Sequence, residues 1–237
     1  MNRKQREKNY GAIVLAAGSG SRMHMDTPKQ YLMVGDYPLM YYALNKFQES
    51  RVEKIVLVVT PGEEEVCRTQ IVERYGFSKV CAIVPGGSER YLSVQAGLHA
   101  LAGVDYVLIH DSARPCIDQA LLERVMKAVA QDEACVAGMP VKDTMKVATE
   151  HGWTKETPDR SRLWQVQTPQ AFAYDLISDA YDRVIASGEQ SVTDDTQVLE
   201  LAYGRQSRLI EGSYRNIKVT TPDDLPIAQA IYDFLNK

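Results

Sequence analysis

Residues 11–17 (G-A-I-V-L-A-A) form a continuous apolar run between glycines, a pattern typical of a strand buried inside a parallel sheet. Comparable runs follow at residues 54–60 (K-I-V-L-V-V-T), 80–84, 105–110 (D-Y-V-L-I-H) and 134–139. Amphipathic stretches of helical length lie between them, at residues 38–50, 63–75, 88–101 and 118–131. This repeated alternation predicts an α/β fold, a Rossmann-like doubly wound and mostly parallel sheet with helices on both faces.

Ligands of such sheets bind outside the carboxyl ends of the strands. The residues that follow Ala17, Val84 and Ile109 should therefore line one crevice.

The alternation fails in residues 141–168, which carry five Lys or Arg side chains and both tryptophans, Trp153 and Trp164. We interpret this segment as a β-arm that protrudes from a single domain spanning residues 1–237. A hairpin that cannot bury its own faces packs on another surface, and a second copy of the chain is the simplest partner. Beyond the arm, the pattern predicts a strand at residues 216–220 and helices at residues 172–186, 193–202 and 223–235.

The composition is that of a soluble globular protein, with 45% hydrophobic and 24% charged residues among 237. The net charge of −4 provides no general basic field, so we expect no nucleic-acid partner, and a bound anion would need a local cluster of cations. No apolar run approaches the ~20 residues of a membrane helix, so no membrane association is expected. Four scattered cysteines without metal-ligand spacing favour reduced thiols and a cytoplasmic location.

Two glycines follow the first strand in L-A-A-G-S-G-S-R-M, residues 15–23. Gly18 and Gly20 permit a tight turn with exposed backbone N–H groups, a concavity suited to phosphate. The third glycine of a dinucleotide fingerprint and the G-K-S/T of a Walker A loop are both missing. Arg22 and Lys29 (in P-K-Q-Y, residues 28–31) flank the turn instead, which favours a triphosphate. The alternative is a tight surface turn with two solvated basic residues.

A second glycine pair lies in P-G-G-S-E-R-Y-L-S-V-Q-A-G-L, residues 85–98, just before a helical pattern. Its open N–H groups, with the hydroxyls of Ser88 and Ser93, could read the edge of a base. Taken alone, the stretch favours a plainer interpretation, in which Ser88 caps the helix.

The third motif, H-D-S-A-R-P at residues 110–115, ends the fourth predicted strand. Asp111 is a natural Mg²⁺ ligand in this crevice, because Mg²⁺ prefers one or two carboxylates together with substrate phosphates. Arg114 could hold a second phosphate bidentately, or it could pair with Asp111 and order the loop. We interpret His110 as a hydrogen-bonded structural residue and not as a general base.

Four further motifs lie in the arm and the tail, and each by itself could be loop or cap chemistry: P-V-K-D-T-M-K (140–146), D-R-S-R-L-W-Q-V-Q-T-P-Q-A-F (159–172), T-D-D (193–195) and N-I-K-V-T-T-P-D-D-L (216–225). In their order along the chain, the seven motifs resemble those of the 2-C-methyl-D-erythritol 4-phosphate cytidylyltransferase family of the non-mevalonate isoprenoid pathway. The resemblance spans the chain from Gly11 to its C-terminus.

The resemblance implies that CTP reacts with methylerythritol phosphate, with Mg²⁺ or another divalent cation, to give the CDP-alcohol and pyrophosphate. It implies that Arg22 and Lys29 stabilise the transition state and that Asp111 holds the metal. Arg160 and Lys218 are implied as further catalytic residues that hold the sugar phosphate together with Arg114, Thr144 and Thr168. The implied CTP pocket comprises Ala16, Ala17, Gly18, Ser19, Gly20, Gly87, Ser88 and Ser93.

The same resemblance implies a homodimer in which the arm of one subunit, with Thr144 and Arg160, completes the site of its neighbour. Since the attacking phosphate oxygen is already anionic, the reaction needs no general base. The nearest rival function is that of a ribitol-5-phosphate cytidylyltransferase, although A-R-P-C and L-W-Q-V-Q-T-P-Q favour methylerythritol phosphate. A nucleotide-binding subunit without catalysis is a second rival. A nicotinamide dehydrogenase is a third, which the missing third glycine disfavours.

Overall fold

A computed structural model of the chain describes residues 8–18, 20, 23, 27–189 and 191–235. The described strands are β1 (Tyr10–Ala16), β2 (Met33–Val34), β3 (Tyr37–Pro38), β4 (Lys54–Val59), β5 (Val80–Pro85), β6 (Tyr106–Asp111), β7 (Ala134–Pro140), β8 (Val147–Ala148), β9 (Thr154–Glu156), β10 (Trp164–Ala173) and β11 (Arg208–Glu211). The described helices are α1 (Leu39–Glu49), α2 (Glu64–Cys67, extended by a π-helical segment, Arg68–Glu73), α3 (Arg90–Ala100), α4 (Gln119–Asp132), α5 (Tyr174–Ala186), α6 (Asp195–Tyr203) and α7 (Asp224–Leu235).

Seven of these strands form one sheet in the order β11-β7-β10-β6-β1-β4-β5. All neighbouring pairs are parallel except the two made by β10, which runs antiparallel to β6 and β7. The predicted α/β class with a mostly parallel sheet is therefore confirmed.

The sheet is covered on both faces because consecutive side chains of its strands point to opposite sides. In β1, Val14 packs in one apolar cluster with Phe47 of α1 and Val125 of α4. Its neighbour Ile13 packs in the other cluster, with Leu98 of α3 and with residues of α5 and α6. Burial on both faces explains why the run is apolar throughout.

The register places the ends of four strands at one edge of the sheet. Leu15 in β1 lies opposite Asp111 in β6, Ala16 lies opposite Val59 in β4, and Val59 lies opposite Pro85 in β5. The loops that follow β1, β5 and β6 consequently open toward the same space, as the sequence predicts.

The prediction of a strand at residues 216–220 is wrong, and the edge strand is instead β11, parallel to β7. Residues 216–220 make irregular contacts beside the site, where the Val219 N–H donates to the Ala113 carbonyl. A pattern of β-branched residues cannot distinguish such a segment from a strand.

The alternation also fails to reveal β10, whose last two residues extend into the helix predicted from residue 172. Half of the buried residues of this strand are polar, namely Gln167, Thr168 and Gln170. Gln167 donates to the Ser213 carbonyl, and the Gln170 side-chain oxygen accepts from the N–H groups of Asp195 and Thr196. Because these amides are satisfied inside the protein, an apolar pattern is not needed there.

Between β7 and β10, residues 141–163 leave the sheet and carry the small antiparallel pair β8–β9. The predicted bounds of the arm, 141–168, are wrong at the C-terminal end, because residues 164–168 belong to β10 of the central sheet. Most of this segment is exposed, including Trp153 with 76% of its surface accessible. Among the described helices, none is both long and apolar enough to cross a membrane.

Candidate active site

A cavity of about 330 Å³ opens at the carboxyl ends of β1 and β6. Nine of the residues that the sequence assigns to the active site line it: Ala16, Ala17, Gly18, Lys29, Gly87, Ser88, Ser93, Asp111 and Lys218. Gly20 is described, with φ +63°, but does not contribute to the lining. Ser19 and Arg22 lie outside the described residues, so their roles stay predictions.

Lys29 enters this cavity from a short 3-10 turn, Lys29–Tyr31, which follows Pro28. The two residues after it fasten the turn to the protein. The Gln30 side-chain amide donates to Glu63 at 3.4 Å, and the Tyr31 hydroxyl donates to the same carboxylate at 3.0 Å. Anchoring of its neighbours holds the backbone of Lys29 beside the glycine turn.

The second glycine loop is held by Ser93. Its hydroxyl donates to the Glu89 carbonyl and accepts the Gly87 N–H at 3.1 Å. A Cβ on Gly86 would lie 2.5 Å from that of Ala17, so only glycine permits this approach of the two loops. The expectation that Ser88 caps the helix is wrong: Glu89 occupies the cap position and makes no side-chain cap.

Asp111 ends β6 with both carboxylate oxygens bound by cations. Lys218 Nζ lies 2.6 Å from Oδ2, and Arg90 Nε lies 3.3 Å from Oδ1. Arg90 and Lys218 outweigh the effect of burial and hold the pKa of Asp111 below its usual range. The alternative of an Asp111–Arg114 ion pair is wrong in this structure, since Arg114 donates to backbone carbonyls instead.

Arg90 is the main residue that sequence reasoning missed. Its two Nη atoms lie 2.7 and 2.9 Å from the carboxylate of Asp195, which is fully buried. Tyr181 donates to the same carboxylate at 2.6 Å. The T-D-D motif contained the signal, because a buried Asp needs a cation, but its partner lies 105 residues away in the sequence.

His110 is fully buried and uses both ring nitrogens. Nε2 lies 3.2 Å from the Arg114 carbonyl, which can only accept, so this nitrogen carries the proton. Nδ1 then accepts from the Thr168 hydroxyl at 3.0 Å, while the Thr168 oxygen accepts the Asp111 N–H. The structural interpretation of His110 is confirmed, since this chain of bonds fixes the end of β6.

Burial lowers the pKa of His110 to about 4, so the folded protein keeps it neutral where the unfolded chain takes up a proton. Unfolding therefore binds a proton below pH 6.5, and the free energy of unfolding should fall by about 1.4 kcal/mol per pH unit between pH 6.5 and 4. Urea denaturation at several pH values gives the free energy of unfolding of the protein and of His110→Gln, whose side chain cannot titrate. The difference between the two pH dependences measures the contribution of His110. Parallel pH dependences of the two proteins would contradict a buried neutral histidine.

A second cavity, of about 400 Å³, adjoins the first and shares Asp111, Lys218 and Arg90 with it. Arg114 and Thr168 from the predicted site also line it. Arg114 donates to the Asn216 carbonyl at 2.8 Å. Its buried Nε has no hydrogen-bond partner among the described residues. None of the described carboxylates lies within 4.0 Å of its guanidinium. Burial lowers the pKa of Arg114. A half-buried cation that forms no ion pair with a carboxylate is suited to an anionic ligand.

Thr144 and Arg160 lie elsewhere, on the exposed segment between β7 and β10. Both residues are described, and neither lines either cavity. The Arg160 guanidinium donates to the Lys142 carbonyl at 3.0 Å. The structure thus does not bring these two predicted residues to the site of their own chain.

The residues at the site fit a divalent ion that is held mainly by its substrate. The described part of the chain contains no cluster of three or more His, Cys, Asp or Glu side chains that could hold a metal alone. Asp111 supplies one carboxylate at the boundary of the two cavities. One carboxylate completed by phosphate oxygens is a usual arrangement for Mg²⁺.

The chain matches one enzyme family over most of its length. A profile of the 2-C-methyl-D-erythritol 4-phosphate cytidylyltransferases matches residues 11–233. The 2-C-methyl-D-erythritol 4-phosphate cytidylyltransferase of Lachnospira eligens is 46% identical over 219 residues, 92% of this chain and 96% of that protein. The enzyme of the same name from Lachnoclostridium phytofermentans is 44% identical over 220 residues, 93% of this chain and 94% of that protein.

Solved structures agree with the sequence comparison. The crystal structure of 4-diphosphocytidyl-2C-methyl-D-erythritol synthase from Anaerococcus prevotii superposes with a TM-score of 0.82 at 32% identity, over 97% of each chain. The 2-C-methyl-D-erythritol 4-phosphate cytidylyltransferase of Francisella tularensis gives 0.80 at 27% identity, over 94% of this chain and all of the other. The chain therefore belongs to the 2-C-methyl-D-erythritol 4-phosphate cytidylyltransferase family of nucleotidyltransferases.

Proposed function

We propose that the protein couples CTP with 2-C-methyl-D-erythritol 4-phosphate, giving 4-diphosphocytidyl-2-C-methyl-D-erythritol and pyrophosphate for isoprenoid precursor synthesis. One observation carries the proposal: two cavities meet at Asp111 and Lys218, so two phosphate compounds can face each other there. Names of the relatives point to the same pair of substrates.

The nucleotide occupies the cavity between the two glycine loops. Its triphosphate lies along the turn after β1, where Lys29 and, by resemblance, Arg22 supply positive charge. The loop of Gly87 and Ser88, fixed by Ser93, faces the base.

The sugar phosphate occupies the second cavity, with its phosphate at Arg114 and Lys218. An oxygen of this phosphate attacks the α-phosphorus of CTP, and the bond from that phosphorus to the bridging oxygen breaks. Pyrophosphate leaves with the electron pair of the broken bond, so charge balances without a proton transfer.

Catalysis on this scheme is alignment and cationic stabilisation. Asp111, assisted by the phosphates, would hold a divalent ion, which would neutralise negative charge on the nucleotide. Lys29 stabilises the charge that grows on the reacting phosphates, and Lys218 holds the attacking phosphate. His110 takes no part in proton transfer, because both of its nitrogens are used inside the protein.

Release of pyrophosphate from CTP tests the reaction, with methylerythritol phosphate and ribitol 5-phosphate assayed side by side. We expect release with methylerythritol phosphate and little with ribitol 5-phosphate. The reverse preference would indicate a ribitol-5-phosphate cytidylyltransferase. Tight CTP binding without pyrophosphate release in the presence of either sugar phosphate would indicate a nucleotide-binding subunit.

We further propose a cytoplasmic homodimer in which the arm, which the structure limits to residues 141–163, completes the site of the neighbouring subunit. Exposed Trp153 and Met145 on the arm favour a protein partner, and Thr144 and Arg160 lie outside both cavities of their own chain. Four free cysteines agree with a reducing compartment.

Mixing two weakly active variants tests the shared site. In a mixed dimer with exchanged arms, the defects of Lys29→Ala and Arg160→Ala fall in the same site, so the other site of that dimer is intact. After subunit exchange, activity should recover to about a quarter of the wild-type level, since half of the random dimers are mixed.

The matched control is a mixture of Lys29→Ala with Lys218→Ala. Both of these residues line one cavity of a single chain, so every site of the mixed dimer keeps a defect. Equal recovery in the two mixtures, or none in the first despite measured exchange, would contradict the exchanged arm.

A further inference from the structure

Asp111 has two cationic neighbours that differ in how firmly they are held. Lys218 reaches Oδ2 on a flexible side chain that is 37% exposed. Arg90 reaches Oδ1 with Nε while both of its Nη atoms are bound to Asp195. A metal ion can therefore displace Lys218 from Asp111 more easily than it can displace Arg90.

Asp195 is itself held by the surrounding protein. Its carboxylate is fully buried and accepts from Tyr181, and its backbone N–H donates to Gln170 of β10 at 3.0 Å. It begins α6 directly after Asp194, which caps that helix. Two hydrogen bonds to Asp195 and the capped start of α6 thus fix the position from which Arg90 is held.

We infer that Asp195 is a positioning residue, which holds Arg90 so that Asp111 keeps one oxygen available to a divalent ion. A guanidinium prefers to bind a carboxylate with two parallel N–H groups. Without Asp195, Arg90 would turn that fork onto Asp111 and occupy both oxygens. With Asp195 in place, only Lys218 has to leave, and it becomes available to the sugar phosphate.

This inference rests on the proposed function for the identity of the ligands. Its test compares CTP affinities with and without metal, a measurement that does not require turnover. CTP affinity is measured by calorimetry with excess Mn²⁺ and again with a chelator. The ratio of the two affinities reports the coupling between the metal and the nucleotide on this protein.

In Asp195→Asn, the ratio should fall about 10-fold, the size typical of lost support behind a metal ligand, while CTP affinity without metal is retained. The double substitution Arg90→Gln with Asp195→Asn removes the competing cation and should recover most of the ratio. Glu123→Gln is the matched control, because Glu123 holds Arg51 by two bonds on the surface.

A purely structural role of Asp195 would weaken CTP binding equally with and without Mn²⁺. That result would overturn the inference, as would an unchanged ratio in Asp195→Asn or an equal loss in the double variant. If the protein releases no pyrophosphate but the ratio behaves as expected, the proposed reaction fails while the inference stands.

A crystal structure of the unsubstituted protein with CTP and Mn²⁺ does not depend on the variants folding. We expect both Nη atoms of Arg90 to remain on Asp195, and Lys218 Nζ to have left Asp111. Arg90 detached from Asp195 and bound to a phosphate would overturn the inference.

Discussion

Replacing Lys29 by alanine should lower kcat about 100- to 1,000-fold and change the affinity for CTP little. One positioned cation at the reacting phosphates contributes about 2.7–4 kcal/mol to the transition state, because charge grows there as the leaving bond breaks. On the proposed binding mode, the ground-state triphosphate would keep its contacts with backbone N–H groups, so its binding should change less. A loss of kcat at nearly constant affinity is the signature of an interaction made in the transition state.

Steady-state pyrophosphate release gives kcat, and calorimetry gives the CTP affinity. Lys46→Ala is a suitable control, since Lys46 pairs with Glu49 on the surface of α1 and leaves the site untouched. Near-normal turnover of Lys29→Ala would remove Lys29 from the catalytic groups. A loss confined to CTP affinity would assign it to ground-state binding.

Asp111→Asn should lower kcat/KM by at least about 100-fold, the second large effect. The substitution removes the carboxylate that would carry the divalent ion, and it leaves Lys218 and Arg90 without their shared anion. Because its neighbours hold the pKa of Asp111 below the usual range, the native group is ionised at every pH suited to the assay. The loss should therefore be the same from about pH 6 to 9.

Activity of Asp111→Asn across Mg²⁺ concentrations checks this expectation, with unfolding curves to verify that the variant is folded. Asp182→Asn provides an exposed aspartate as control, since Asp182 binds the surface side chains of Gln95 and His99. Full activity of Asp111→Asn at ordinary Mg²⁺ would exclude this carboxylate as the metal ligand.

Sequence periodicity predicts the first half of the fold because that half is built from local signals. The strands beginning at Tyr10, Lys54 and Tyr106 are buried on both faces, so their apolar runs are continuous. Helix α4 begins where Asp118 caps it, within one residue of the expected start. The carboxyl ends of these strands then determine where the glycine loops and Asp111 meet.

The second half is predicted less well because its structure depends on distant partners. Gln167 and Gln170 are polar yet buried in β10, since amides far along the chain satisfy them. Residues 216–220 have a strand-like composition, but they run beside the site, where Arg114 donates to the Asn216 carbonyl. Strand β11 is four residues long and mostly exposed, too weak a pattern to identify.

The candidate site shows the same division. Lys29, Asp111 and Lys218 lie together as their motifs imply, because each follows or faces the end of a central strand. The Arg90–Asp195 pair is not predictable, since two charges 105 residues apart give no local signal of contact.

The stereochemical course at the α-phosphorus tests most directly whether two aligned phosphates react with each other. CTP carrying a chiral α-phosphorothioate is converted with methylerythritol phosphate, and the configuration of the product is determined. Direct in-line attack at the boundary where the two cavities meet inverts the configuration at the α-phosphorus. Inversion is the result we expect. Retention would require a cytidylylated side chain as an intermediate, and it would contradict catalysis by placement alone.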